Sequence, residues 1–248
     1  MSLDAMDRLR QIEAVVQSEG RVRVVDAAAR FGVSEMTIRR DLETLADQGI
    51  VQRIRGGAVA IGPQPFAERF SRHMRAKERI AAKLEPLVGD GGAIGLDAST
   101  TLQRLAVRMR EVRDLTVVTN GQDTFAALQD KPGVTALLTG GQLDPRTGSL
   151  VGPLATRIAR ELLVRRLFVS AAAVHAGHGT SEATLEDAEV KLALADVAAE
   201  VIVAVDSSKL DQRAPARGLG AERVHTLVTE LDPSDTRLDP YRERWELL

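Results

Sequence analysis

The run Phe31-Gly-Val-Ser-Glu-Met-Thr-Ile-Arg-Arg-Asp-Leu42 decides the architecture of the N-terminal part. Ser34 is a good helix N-cap after the turn Gly32-Val33, and Ile38, Leu42 and Leu45 recur at i, i+4 and i+7. The spacing predicts a helix that starts at Ser34 and ends at Gly49. Turning about 100° per residue places Met36, Arg40, Glu43 and Thr44 opposite that stripe, with Thr37 and Arg39 on its flanks. Upstream, Met6, Leu9, Ile12 and Val16 keep helical spacing and stop at Gly20, which predicts a helix over residues 4–18. Val24-Val-Asp-Ala-Ala-Ala-Arg-Phe31 reads as a second short helix, closed by Gly32. Two short helices about a glycine turn, the second showing Thr and Arg outward, have the proportions of a helix-turn-helix. On geometry alone, a three-helix bundle with a solvated arginine face fits as well. Downstream, Ile50-Val-Gln-Arg-Ile-Arg-Gly-Gly-Ala58 reads as two short strands about a turn, a wing whose Arg53 and Arg55 suit phosphate or minor-groove contact.

Those residues, with Leu45, Gly49 and Arg53-Ile-Arg-Gly-Gly-Ala58, closely resemble the DNA-binding signature of the DeoR family of bacterial regulators. The resemblance implies that Ser34, Thr37, Arg39 and Arg40 touch DNA, that Met36 tunes operator preference, and that Asp41 braces an arginine or the helix.

Composition sets the outer limits. With 248 residues, 44% apolar and 27% charged, the chain reads as an ordinary globular protein of two domains. It has no cysteine, which excludes disulfides, thiolate metal sites and a cysteine nucleophile, and a reducing cytoplasm is the expected compartment. No signal peptide and no bilayer-spanning apolar run are read from it. The net charge of −2 is uneven: residues 1–57 carry nine Arg against nine acids, residues 58–83 six bases against two acids, and the acidic excess lies beyond. Seven aromatics are too few for recognition of single strands by stacking, so duplex DNA is the expected nucleic-acid partner.

Gly62-Pro63-Gln-Pro65 is stiff and helix-breaking and marks a junction. The expected organisation is a winged helix-turn-helix over 1–58, a linker over 59–76, an effector-sensing domain over 77–232 and a C-terminal extension over 233–248. Beyond the linker, apolar runs at Ala93-Ile-Gly-Leu96, Leu115-Thr-Val-Val118, Val134-Thr-Ala-Leu-Leu138, Leu167-Phe-Val-Ser-Ala171 and Val201-Ile-Val-Ala-Val205 alternate with helical segments. Such a pattern predicts a parallel sheet covered on both faces, so the second domain is α/β. In open sheets of this kind ligands sit beyond the carboxyl ends of the strands. There the chain places Asp97-Ala-Ser-Thr-Thr101, then Thr119-Asn120-Gly121, Thr139-Gly140-Gly141 and Asp206-Ser-Ser-Lys209. Any one of these loops is ordinary capping and turn chemistry. Four at one sheet edge look like the wall of a pocket for a polar anion, with Lys209 suited to a phosphate and Asp206 to a hydroxyl.

The stretch from Lys77 to Glu230 also resembles the DeoR C-terminal sensor domain, whose fold is similar to ribose-5-phosphate isomerase and whose ligands are commonly phosphorylated sugars. By that resemblance the effector residues are Lys77, Asp97, Ser99, Thr100, Thr101, Thr119, Asn120, Gly140, Gly141, Glu189, Asp206 and Lys209. His175 and His178 lack further ligands at useful spacing, so no metal is assigned, and no nucleotide-binding fingerprint follows a strand. No cofactor is expected beyond the sugar effector. The leading reading is an effector-responsive repressor acting as a dimer or higher oligomer, because one helix-turn-helix reads one half-site. The alternative is a sugar-phosphate isomerase or transferase using Asp97, Glu186, Glu189, Asp206 or Lys209 as acid or base.

Overall fold

The computed structural model describes residues 3–47, 50–60, 65–110 and 112–248, in two compact units divided between Arg69 and Phe70. The first unit opens with α1 (Leu3–Glu19), β1 (Arg21–Arg23), α2 (Val24–Phe31), α3 (Glu35–Asp47), β2 (Val51–Ile54) and β3 (Gly57–Ala60). Gly32, in the left-handed region at φ 63°, ends α2 and returns its N–H to the Ala28 carbonyl. Leu9, Ile12 and Val16 of α1 meet Ile38, Leu42 and Leu45 of α3 over Val51 and Ala58, so the spacings read from sequence do form one core. Met6 shares that spacing yet is 42% exposed, being a turn beyond the end of the packed face. β2 and β3 form the antiparallel wing, and β1 adds a third strand against β3, pairing Val22 with Ala58. Sequence missed β1 because three residues are too few to show a period of two. The proposed helix end at Gly49 lies outside the described residues.

The second unit is a seven-stranded sheet with helices on both faces. α4 (Phe66–Ser71) spans the division, and after α5 (Met74–Val88) come β4 (Ala93–Leu96), α6 (Thr100–Arg108), β5 (Leu115–Thr119), α7 (Gln122–Leu128) and β6 (Val134–Leu138). A hairpin of β7 (Gln142–Asp144) and β8 (Ser149–Val151) leads through α8 (Pro153–Arg160) to β9 (Val164–Val169). Then follow β10 (Ala173–His175), β11 (Gly179–Glu182), α9 (Leu185–Asp196), β12 (Ala198–Ala204), β13 (Ala216–Arg217), β14 (Thr226–Val228), α10 (Asp239–Arg242) and β15 (Glu246–Leu247). The main sheet runs β15-β14-β12-β9-β4-β5-β6, parallel at every pairing, while β10, β11 and β13 make a small antiparallel sheet. Successive residues of each central strand serve opposite cores: Leu167, Val169, Val201 and Val203 join the α8–α9 side, and Phe168, Ile202 and Ala204 join the α5–α6 side. That is why these strands read as unbroken apolar runs.

Two boundaries differ from the sequence reading. The expected linker over 59–76 holds the end of β3, all of α4 and the start of α5, while the residues at 61–64 lie outside the described ones. The expected extension over 233–248 belongs to the sensor unit: β15 extends the sheet, and Leu238, Tyr241 and Trp245 are buried in the core on the α8–α9 side. The Tyr241 hydroxyl donates to the Asp211 carboxylate at 2.9 Å and accepts from the Asp211 N–H at 2.9 Å, pinning the tail. A two-residue strand and isolated aromatics carry no periodic signal, so sequence could not place them.

Candidate functional site

α3 is fixed from within and presented from without. The Ser34 hydroxyl caps the helix by accepting from the Thr37 N–H at 3.1 Å, and it lies 2.9 Å from the Thr37 hydroxyl. Ile38, Leu42 and Leu45 bury one face, and Asp41 accepts from Arg8 through both oxygens, at 2.6 and 3.2 Å. This two-point ion pair sets the rotation of α3 against α1. It turns Met36, Arg39 and Arg40 outward. Arg39 pairs with Glu35 at 3.1 Å, and Arg53 of the wing pairs with Glu43 of α3 at 2.9 Å. Both pairs are exposed, worth at most about 1 kcal/mol, so a phosphate can replace the carboxylate. Arg40 and Arg55 are exposed and have no acid within 4.0 Å among the described residues. Recognition helix and wing therefore offer guanidinium groups beside a short polar helix N-terminus, a surface suited to a nucleic-acid duplex.

In the sensor unit the parallel sheet brings the strand ends to one edge. Asp97, after β4, is fully buried: one oxygen accepts from the Ser99 N–H at 3.0 Å, the other from the Ser170 N–H at 2.9 Å. Ser99 caps α6 by accepting from the Leu102 N–H, which sets buried Thr100 and Thr101 in its first turn. Thr119, the last residue of β5, accepts from the Gly121 N–H at 3.0 Å, and Asn120 donates to the Leu150 carbonyl at 3.2 Å. Gly140 and Gly141 follow β6 with positive φ; a side chain on Gly141, at φ 119°, would strike the Val151 carbonyl and Ala155.

After β12, Asp206 is buried and caps a single 3-10 turn through its bonds to Ser208. Burial disfavours its charge, but the Ser208 hydroxyl, then Lys209, His73 and Lys77, more than offset this and hold the carboxyl below its usual range. Lys77 of α5 is itself buried, so its charge belongs to this edge. Lys209 donates to the Ala171 carbonyl at 2.6 Å, bridging the ends of β12 and β9. Glu230 accepts from the Ser207 N–H and hydroxyl and so pins this loop.

Glu189 is the one assigned effector residue that stands apart, exposed on the outer face of α9. Its neighbour Lys191 points to the sheet edge instead. Lys191 donates to Glu182 at 2.8 Å and to the Ser170 carbonyl at 2.9 Å, and lies 3.2 Å from Asp97. Two residues along a helix is about 200° of rotation, enough to exchange outside for inside. Burial pushes the Glu182 carboxyl up, Lys191 notwithstanding, while the two carboxylates outweigh burial at Lys191 and keep it protonated. Sequence missed Ser170 and Glu182, because nothing in a strand end or a short antiparallel strand announces a long-range partner. Asn120 Oδ1, Ser170 Oγ and Glu182 Oε1 are buried with no hydrogen-bond partner among the described residues, the residual polarity expected beside a site that binds something polar. The two histidines of the β10–β11 turn are engaged elsewhere: His175 accepts from the Gly177 N–H, and Arg213 lies 2.8 Å from His178. The Arg213 charge lowers the His178 pKa.

Comparison with known proteins gives the same two-part division. Residues 8–64 match the DeoR-like helix-turn-helix domain, and residues 72–231 match the DeoR C-terminal sensor domain. The chain is 31% identical over 230 residues to a putative aga operon transcriptional repressor of Escherichia coli O157:H7, covering 90% of this chain and 86% of that one. It is 29% identical over 246 residues to the lactose phosphotransferase system repressor of Streptococcus mutans, covering 96% and 97%. Among solved structures it is similar to ribose 5-phosphate isomerase A of Methanocaldococcus jannaschii, at 19% identity and a TM-score of 0.39 over 54% of this chain and 53% of that one. No described helix is long and apolar enough to cross a membrane. The chain belongs to the DeoR family of transcriptional regulators, and the enzyme alternative is set aside.

Proposed function

From that membership we propose that the chain is a cytoplasmic repressor of carbohydrate-metabolism genes, which holds a duplex operator through α3 and the wing and answers to a phosphorylated sugar at the sheet edge. The observation that carries the reading is the convergence of Lys77, Asp97, Thr100, Thr101, Asn120, Asp206 and Lys209 on one edge of an all-parallel sheet. Lysines and the first turn of α6 suit the phosphate; the ionised Asp206 and the Asn120 amide suit hydroxyls. Arg40 reads a base edge, whereas Arg53 and Arg55 grip the backbone, and a homo-oligomer supplies the second half-site. The relatives named as repressors of sugar operons favour this reading.

The test is Lys209→Ala. Losing a charge-assisted hydrogen bond of about 1.5–3 kcal/mol should weaken sugar-phosphate affinity roughly tenfold to a hundredfold in calorimetric titration. Operator affinity without effector should stay unchanged. Equal sugar-phosphate affinity in variant and wild type would place the phosphate elsewhere.

A further inference from the structure

Arg104, in the middle of α6, is a buried charge that neither core packing nor any assigned role explains. Only 8% exposed, it donates to Glu78 of α5 at 2.6 Å and to the Phe70 carbonyl at 3.0 Å, and its guanidinium lies 4.2 Å from the centre of the Phe70 ring. Arginine is rarely buried unless something is gained by it. The ion pair alone does not require burial, because Glu78 is itself half exposed. What the buried position adds is the grip on Phe70, by hydrogen bond and by ring stacking.

Phe70 belongs to α4, six residues that are too short to hold a helix by themselves. Two of its contacts stand near its two ends. In the first unit, Glu68 lies so close to Gly20 that a side-chain carbon there would collide with its carboxylate. In the second unit, Phe70 rests on Arg104. The corner between α4 and α5 is tight, with His73 at φ 51°, a conformation that non-glycine residues seldom adopt. On the other side of the latch, Thr100 stands one helical turn from Arg104 on the same face of α6, and Lys77 adjoins Glu78 on α5. Both partners of Phe70's anchor are thus carried on the helices whose first turns form the sheet-edge site.

We propose that Arg104 is the latch that couples occupancy of the sheet-edge site to α4, the connection into the DNA-binding unit; it rests on the sugar-phosphate reading above and extends it to regulation. A bound anion that draws in the first turn of α6 moves Arg104 as part of the same rigid helix, and the doubly held Phe70 moves with it. Arg104 is a positioning residue: it touches neither ligand nor DNA.

The experiment uses the full-length wild type, Arg104→Gln and the conservative Arg104→Lys. The probes are fructose 6-phosphate and ribose 5-phosphate, with inorganic phosphate as control, and a duplex selected by the wild type from random DNA. In Arg104→Gln, effector affinity by calorimetry and duplex affinity without effector should each stay within about threefold of wild type. The effector-induced change in duplex affinity should shrink at least tenfold, and Arg104→Lys should restore part of it. Amide exchange at residues 70–73 should quicken in Arg104→Gln while the middle of α5 is unchanged. Arg104→Gln with full effector response, or with unaltered exchange at 70–73, overturns the latch. A wild type that responds to no probe overturns the sugar-phosphate reading instead, and the latch then stands or falls by the exchange result.

Discussion

Lys191→Met isolates the energetics of the sheet edge. In the native protein one ammonium serves two carboxylates, Asp97 at 0% and Glu182 at 3% exposure, and it also caps the Ser170 carbonyl. Methionine fills the space but leaves both carboxylates unpaired. Asp97 keeps two backbone N–H donors, from Ser99 and Ser170, whereas Lys191 supplies the hydrogen bond to Glu182 Oε2, and Oε1 has no partner among the described residues. Glu182 is therefore the group that gives way, and the cheapest escape is to take up a proton. Protonating a carboxyl whose unfolded value is 4.5 costs about 1.4 kcal/mol per pH unit above that value. Because Glu182 is already raised in the wild type, the loss of stability is at most about 4 kcal/mol at pH 7.5, in the range for breaking a buried ion pair, and at most about 1.4 kcal/mol at pH 5.5. The sign follows from linkage: a carboxyl raised on folding binds more protons in the native state, so stability is fullest below 4.5 and falls as pH rises toward the raised value. Urea unfolding of wild type and variant at the two pH values measures both numbers, and adding Glu182→Gln to Lys191→Met should recover much of the loss. A loss that is the same at pH 5.5 and 7.5, or that Glu182→Gln leaves untouched, would refute the reasoning.

Two further outcomes are expected. Arg40→Ala should cost about 1–3 kcal/mol on the cognate operator and little on scrambled duplex, whereas Arg55→Ala should weaken both alike and flatten the salt slope by about one; anisotropy titrations across salt separate them. Truncation after Asp232 should unfold the sensor unit, because it removes buried Leu238, Tyr241 and Trp245 and the strand β15. At roughly 1.5–3 kcal/mol for each such side chain, the loss approaches the whole stability of a domain; a sharp thermal transition in the truncated protein would contradict it.

What sequence revealed and what it hid divide along the range of the interactions. Ile38, Leu42 and Leu45 declare α3 because a helix repeats its environment every 3.6 residues, and the apolar runs declare β4, β5, β6, β9 and β12 because a doubly covered strand is apolar throughout. Asp97, Thr100, Thr101, Asn120, Asp206 and Lys209 were legible for a related reason: once the sheet is parallel, every strand-to-helix loop lies at one edge. The hidden part depends on pairs distant in the chain. Asp41 meets Arg8 across 33 residues, Ser170 meets Asp97 across 73, and Tyr241 meets Val174 across 67. Glu189 shows the limit most sharply, since only the rotation of α9 puts Lys191, two residues on, against the strands in its place.

The even charge of the N-terminal unit, nine arginines against nine acids over residues 1–57, changes meaning once the pairs are located. Arg8 is spent on Asp41 in a largely buried pair, while Arg23 with Asp26, Arg30 with Glu19, Arg39 with Glu35 and Arg53 with Glu43 form exposed pairs. Near the recognition surface, Arg40 and Arg55 are the guanidinium groups without an acid within 4.0 Å among the described residues. A duplex approaching this face gains two unshielded charges outright, and at Arg39 and Arg53 it must displace a carboxylate to gain more. Non-specific affinity, which scales with phosphates neutralised, is thereby kept low. The specific complex exchanges the exposed Glu35 and Glu43 pairs, each worth at most about 1 kcal/mol, for phosphate contacts made only where α3 is seated in register. Acidic residues beside the recognition helix thus widen the gap between the operator and other DNA, which is what a regulator searching a genome of competing sites requires.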